Sequence, residues 1–247
     1  MYYFIIFFLV LVSASYFGNY MFQKHHRKDL ATDNGITLIL GGLLSLLALI
    51  ISFSLNTSIN GYNARQENER NEAILIGNAF QYNDLLPEPD KAIANRLLAK
   101  YLDARINFYN SGFSEKRIYW KNLSLDKHLQ LWNIGIKNVE KESSSSNIVV
   151  INKYSDLYVS HEKTNSIWNK QVPSLTWYLL ILLAVSSCGF IGYSMKGTHN
   201  RNLLIIATPF FIAFALFIIA DIDIPGEGII HVTPVNLVNL KMTLRFQ

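Results

Sequence analysis

The sequence predicts an all-α membrane protein, with four transmembrane helices and a helical extramembrane layer formed by the segment between the second and third. Three observations predict it. Four stretches of the chain carry no charged side chain, and each is long enough to cross a bilayer, which takes about 20 apolar residues. The two short connections between spans are basic. The long stretch between the second and third spans is polar, yet keeps helical periodicity. Composition agrees, since half of the 247 residues are hydrophobic and only 16% are charged. An ordinary soluble domain carries about a quarter charged residues.

The spans are residues 2–22, 35–58, 173–195 and 202–220. The first lacks a basic leading region and a small-residue cleavage site, so it is expected to be a retained helix rather than a secretory signal. Trp177 and Tyr178, early in the third span, suit the aromatic belt at the water boundary. Pro209 in the fourth should kink that helix or relax its backbone bonding. Lys24, Arg27 and Lys28 occupy the first short connection; Lys196 and Arg201 occupy the second. Positive charge in short loops marks the cytoplasmic side, which places the middle segment, the N-terminus and the C-terminal tail outside. The expected setting is a multi-pass protein of the inner (cytoplasmic) membrane, with the lipid bilayer as its first partner.

The expected division is residues 1–58 for spans one and two, 59–172 for the helical extramembrane segment, 173–221 for spans three and four, and 222–247 for a tail. No proline interrupts residues 61–84, so the second span should continue as one rod of roughly 45 residues, about 70 Å long. Pro87 and Pro89 end that rod, and Asp90 is placed to cap the next helix. There Ile93, Leu97, Tyr101, Ala104 and Phe108 form an apolar stripe at helical spacing. Another amphipathic piece covers residues 123–139, and the run "ESSSS" at 142–146 is the best linker candidate. Residues 147–168 are ambiguous between strand and helix. A lone strand would have no partner, which favours helix.

The second span carries the most specific signal. Thr37, Gly41, Ser45, Ala48, Ser52 and Asn56 are spaced 4, 4, 3, 4 and 4 apart, which puts them on one helical face. Such a face either lines an uncharged pore or lets helices pack closely in lipid. Beyond it, Arg65 with Glu69, and Asn68 with Glu72, are pairs four residues apart. These read either as ordinary ties on a solvated helix or, for Arg65, as a charge that concentrates anions at a pore entrance.

Other chemistry finds little support. Residues 57–172 hold 15 Lys/Arg against 13 Asp/Glu, so no basic face suggests nucleic acid. His25 and His26 are adjacent and lack a nearby third ligand, and His128, His161, His199 and His231 form no HExxH pattern. No nucleophile elbow, P-loop or dinucleotide fingerprint occurs, so neither an enzyme nor a cofactor is expected. Asp221 and Asp223 are two apart and more suited to ending a helix than to catalysis. The single cysteine, Cys188, excludes an intramolecular disulfide.

"YNARQENERNEAILIGNAFQYNDLLPEP", following the Gly-rich span that opens "ATDNGITLILGGLL", resembles the bacterial bestrophin-like family of four-span membrane proteins. Arg65, Glu72, Ala73 and Gly77 carry that resemblance, as do Asp223, Pro225 and Gly228 in "DIDIPGEGIIHV". The resemblance implies a bestrophin-like fold and a homo-oligomer, since bestrophins proper are pentameric anion channels whose second span lines the pore. It further implies that Thr37, Gly41, Ser45, Ala48, Ser52 and Asn56 face that pore. Two departures stand beside it. The basic corners place the middle segment outside, whereas bestrophins keep theirs in the cytosol, and the acidic cluster that holds calcium in animal bestrophins is missing. The other function class is a non-conducting structural or sensory membrane protein that binds a partner through its extramembrane helices.

Overall fold

A computed structural model describes residues 2–25, 34–112, 115–194 and 201–245. The described residues form helices and no strand: α1 Tyr2–His25, α2 Asn34–Tyr82, a 3-10 turn Asn83–Leu85, α3 Asp90–Asn110, α4 Glu115–Lys141, α5 Ser145–Trp168, α6 Ser174–Ser194, α7 Arg201–Asp223 and α8 Val235–Arg245. The four expected spans fall in α1, α2, α6 and α7, each with a segment long and apolar enough to cross a membrane. Arg27, Lys28, Lys196, His26 and His199 lie outside the described residues. The chain divides into two compact units, residues 1–60 with 171–224 and residues 61–170 with 225–247.

In the first unit α1 packs on α6 and α7. The α1–α6 contact is very close. A Cβ on Gly18 would overlap the Gly189 carbonyl, and one on Gly192 would overlap the Ser15 carbonyl. The buried Ser15 hydroxyl donates to the Cys188 carbonyl at 3.1 Å across the same seam. Small residues are what allow two backbones to approach so closely where lipid offers no hydrophobic drive. On its other side α1 meets α7 through rings, with Phe4 edge-on to Phe210 and Phe214. Pro209 sits inside α7, and Trp177 stacks on Phe7 with centroids 6.3 Å apart.

In the second unit Ile76, Leu98, Tyr101, Leu131, Tyr154, Leu157 and Leu237 form one core from α2, α3, α4, α5 and α8. Residues 147–168 are helical, so the ambiguity there resolves as the lack of a strand partner required. The serine run is no loose linker. Only residues 142–144 separate α4 from α5, and Ser144 accepts the Asn147 N–H as N-cap.

Two local expectations are corrected. Asp90 does not cap its own helix; it accepts Asn138 Nδ2 at 3.0 Å and pairs with Lys137 at 3.6 Å, tying α3 to α4. The buried face of α3 is also broader than the expected stripe. Tyr101, Ala104 and Phe108 are buried as expected and Ile93 is exposed, but Ala94, Leu98, Leu102, Arg105 and Tyr109 are buried as well. The stripe was drawn through apolar residues only, and a buried arginine sits at the centre of the real one.

Candidate functional site

Two constellations merit construction from their residues, one on the membrane half of α2 and one inside the second unit. On α2, Thr37, Gly41, Ser45, Ala48, Ser52 and Asn56 occupy an arc of about 100° at 3.6 residues per turn. All six are exposed. A Cβ built on Gly41 meets nothing within 4 Å. The packing face lies elsewhere on the same helix, at Leu47, Ser54 and Ser58. The Ser52 hydroxyl donates to the Ala48 carbonyl at 2.9 Å, so its proton is satisfied within the helix and its lone pairs remain outward. Beside this stripe runs an apolar one, with Leu38, Leu46, Leu49 and Phe53 all exposed. Among the described residues, the small-residue face is therefore not the one by which α2 packs on the chain's own helices.

The extramembrane half of α2 is not the solvated helix its charge pattern suggested. Arg65, Asn68, Glu69 and Glu72 are each at most 3% exposed. Each reaches partners well beyond its own turn of helix. Arg65 Nη1 donates to the Lys170 carbonyl at 3.5 Å, which braces α2 against the end of α5. A guanidinium buried there does not present its charge as an entrance group would. Glu69 accepts both the Leu237 N–H at 2.9 Å and Asn236 Nδ2 at 2.6 Å, the first turn of α8. A carboxylate at a helix N-terminus satisfies donors that the helix itself cannot. Gly77 leaves room for the same helix, since a Cβ there would stand 3.3 Å from Leu240 Cδ1. Ala73 is buried in the core beside it.

Glu72 is the centre of the buried cluster. Arg105 Nε donates to Glu72 Oε1, and Arg105 Nη2 to Oε2 at 3.1 Å, a two-pronged pair. The Tyr109 hydroxyl donates to Oε2 at 3.1 Å, and Thr164 Oγ1 lies 3.4 Å from the same oxygen. Asn68 Nδ2 donates to Thr164 Oγ1 at 2.7 Å. The guanidinium also lies 4.5 Å over the Phe108 ring. Burial acts to lower the Arg105 pKa, but the Glu72 carboxylate together with Tyr101 and Tyr109 outweighs it, so the net shift is upward and the charge is secure. Burial and the charge of Glu72 push the Tyr101 and Tyr109 hydroxyls up, which keeps both neutral.

His161 closes the far side. Its Nδ1 is 3.5 Å from Arg105 Nη1, which can only donate, so Nδ1 accepts and the proton resides on Nε2. Burial, with the charges of Arg105, Lys121 and His128 behind it, holds the imidazole pKa down at about 3. The cluster ties α2, α3 and α5 together. It joins no nucleophile to a base.

The tail motif is explained by backbone geometry. Asp223 Oδ1 accepts the Val172 N–H at 2.8 Å, securing the start of the third span's approach to the end of α7. After Pro225, Gly226 and Gly228 have φ of 75° and 90°, a region that favours glycine. Gly226 is pressed between Gly112 and the Trp168 ring. Among the sequence candidates, Glu72, Ala73 and Gly77 meet in the second unit, while Asp223 serves the first. Arg105, Tyr109 and His161 were missed. The available signal was an arginine at the spacing Tyr101, Arg105, Phe108.

The family described as Bestrophin-like domain matches residues 5–237. No curated protein matches the chain by sequence. Among solved structures, a point variant of a bacterial bestrophin homologue from Klebsiella pneumoniae superposes with a TM-score of 0.75 at 11% identity. That alignment covers 98% of this chain and 97% of the other. A second structure described as a bacterial bestrophin homologue from that organism gives a TM-score of 0.73 at 12% identity, covering 97% of this chain and 96% of the other. With a family match over nearly its full length and the same fold over nearly every residue, this chain belongs to the Bestrophin-like family.

Proposed function

We propose that the protein assembles as a homo-oligomer around α2 and forms a pore for small anions in the inner membrane. The supporting observation is the exposed stripe Thr37, Gly41, Ser45, Ala48, Ser52 and Asn56. It is weakly polar, uncharged and exposed along its whole length. A surface of this kind is more useful to a water-filled path than to lipid, which the adjacent Leu38, Leu46, Leu49 and Phe53 suit better. Family likeness supports the same arrangement, with the second span around the axis and five subunits in the ring. Selectivity by a ring of fixed charge within the membrane does not belong to this reading, because the stripe carries none.

Purified protein in planar bilayers should conduct, with permeability greater for anions than for cations. Ser45→Leu narrows the path, so conductance should fall while the assembly survives detergent extraction unchanged. Were Ser45 in a packed seam, added bulk would instead cost about 1–3 kcal/mol through strain and weaken assembly first. Ser52→Cys in a Cys188→Ser background should react with a small charged thiol reagent and block current. No ion flux from wild-type protein, with an unreactive cysteine at position 52, would replace this reading with the non-conducting, partner-binding one.

A further inference from the structure

The second unit contains a pocket beside the Glu72 cluster, with which it shares the Phe108 ring. It has a volume of about 130 Å³. Its polar lining consists of Arg117 and Lys121 from α4, with Asn165, Trp168 and Asn169 from the end of α5. Each of these side chains can donate an N–H, and no carboxylate is among the lining residues. The Trp168 side chain is 3% exposed, and its indole N–H is buried without a hydrogen-bond partner. Indole is a donor only, and a buried donor left unmatched is costly. The Arg117 guanidinium lies 5.5 Å over the same ring.

Two carboxylates stand close by. Glu227 acts on Arg117: burial pulls that guanidinium below its ordinary value, and Glu227 pushes it back up. Glu162 Oε1 is 3.4 Å from Asn165 Nδ2. Glu227 is carried by the turn of Gly226 and Gly228, and Gly226 is held against Trp168. The small volume suits an anion of a few heavy atoms.

We propose that this pocket binds a small oxyanion of phosphate size, held by Arg117, Lys121 and the Trp168 indole N–H, with Glu227 as the internal competitor for Arg117. An oxyanion is favoured over a halide because a planar guanidinium fork, an ammonium and an indole N–H point to several acceptor oxygens at once. The site lies outside the stripe, so it does not depend on the pore reading. The competing account is that Arg117 and Lys121 merely complement the C-terminal end of α5, where cations are favourable.

The test is titration of the full-length protein in detergent with inorganic phosphate at fixed ionic strength maintained with chloride, followed by thermal unfolding. Wild-type protein should show a saturable rise in Tm, as ligand binding to the folded state requires. Trp168→Phe keeps the ring and removes the donor, and should weaken phosphate about tenfold, the scale of one hydrogen bond to a charged group. Lys121→Met should weaken it at least as much. Glu227→Gln should tighten it several-fold, an effect that damage to folding cannot imitate. Absence of a saturable response in wild-type protein overturns the proposal. So does a phosphate response that is unchanged in both Trp168→Phe and Lys121→Met, or one that is unchanged or weaker in Glu227→Gln.

Discussion

Arg105 and Glu72 are both fully buried, and each is tolerable there only because of the other. Removing one charge leaves its partner unpaired in a medium that solvates it poorly, which typically costs about 3–5 kcal/mol. Arg105→Met should therefore lower stability by that order in chemical denaturation. The double change Arg105→Met with Glu72→Leu should recover a substantial part, because no lone charge remains. His161 yields a pH prediction of defined sign. Its folded pKa is depressed to about 3, while an unfolded histidine titrates near 6.5. Between these values the unfolded chain binds the proton and the folded one does not, so stability contributed here is present above pH ~6.5 and lost as the pH falls towards 3. Thermal unfolding followed from pH 7 to pH 5 should decline less steeply in His161→Gln than in wild type. Neither role was legible in the sequence. The pattern showed Arg65 with Glu69 and Asn68 with Glu72 on one helix, but Glu69 and Glu72 also draw partners from α8, α3 and α5, which no pattern on α2 names.

Among helices, the glycines separate into classes that sequence alone treats alike. At Gly192 a Cβ would overlap the backbone carbonyl of Ser15. Backbone cannot yield as a flexible side chain can, so Gly192→Ala should force α1 and α6 apart, with a stability loss at or above the 1–3 kcal/mol typical of overpacking. At Gly41 nothing lies within 4 Å, so Gly41→Ala meets no obstacle and should be neutral or stabilising for the folded protomer. Gly61 is intermediate. It lies within the unbroken α2, where its added Cβ would meet Arg65 Nη1 and the Lys170 carbonyl at an ordinary 3.6 Å. Gly61→Ala should be neutral or raise Tm, since an interior helical glycine costs about 1 kcal/mol relative to alanine. The three variants can be compared by thermal unfolding in one detergent. Helix existence was readable from periodicity and the absence of proline. The face that each helix buries was not, because that depends on which neighbour reaches it; α3 shows this through Arg105.

For the whole chain, the side of the membrane occupied by the extramembrane unit is the decisive topological question. The basic connections predict the outside, through Lys24, Arg27, Lys28, Lys196 and Arg201. Ser143 is exposed in the short α4–α5 joint and, unlike Ser144, caps no helix. Ser143→Cys in a Cys188→Ser background should react with a membrane-impermeant thiol reagent in intact spheroplasts. Protection until lysis would put the unit in the cytoplasm, together with α8, which Glu69 holds within it.

By itself the sequence determined the helical class, the four spans and the family resemblance. Each of these is set by local information: charge-free length, periodicity, proline position and short motifs. Only the tertiary structure decided that Arg65, Glu69 and Glu72 are interior groups and that the small-residue face of α2 is left open. It also decided that glycines of the tail turn carry positive φ beside Trp168. Those facts depend on residues far apart in the chain, since burial and pairing belong to the neighbours a fold supplies, and one helix's pattern does not name them.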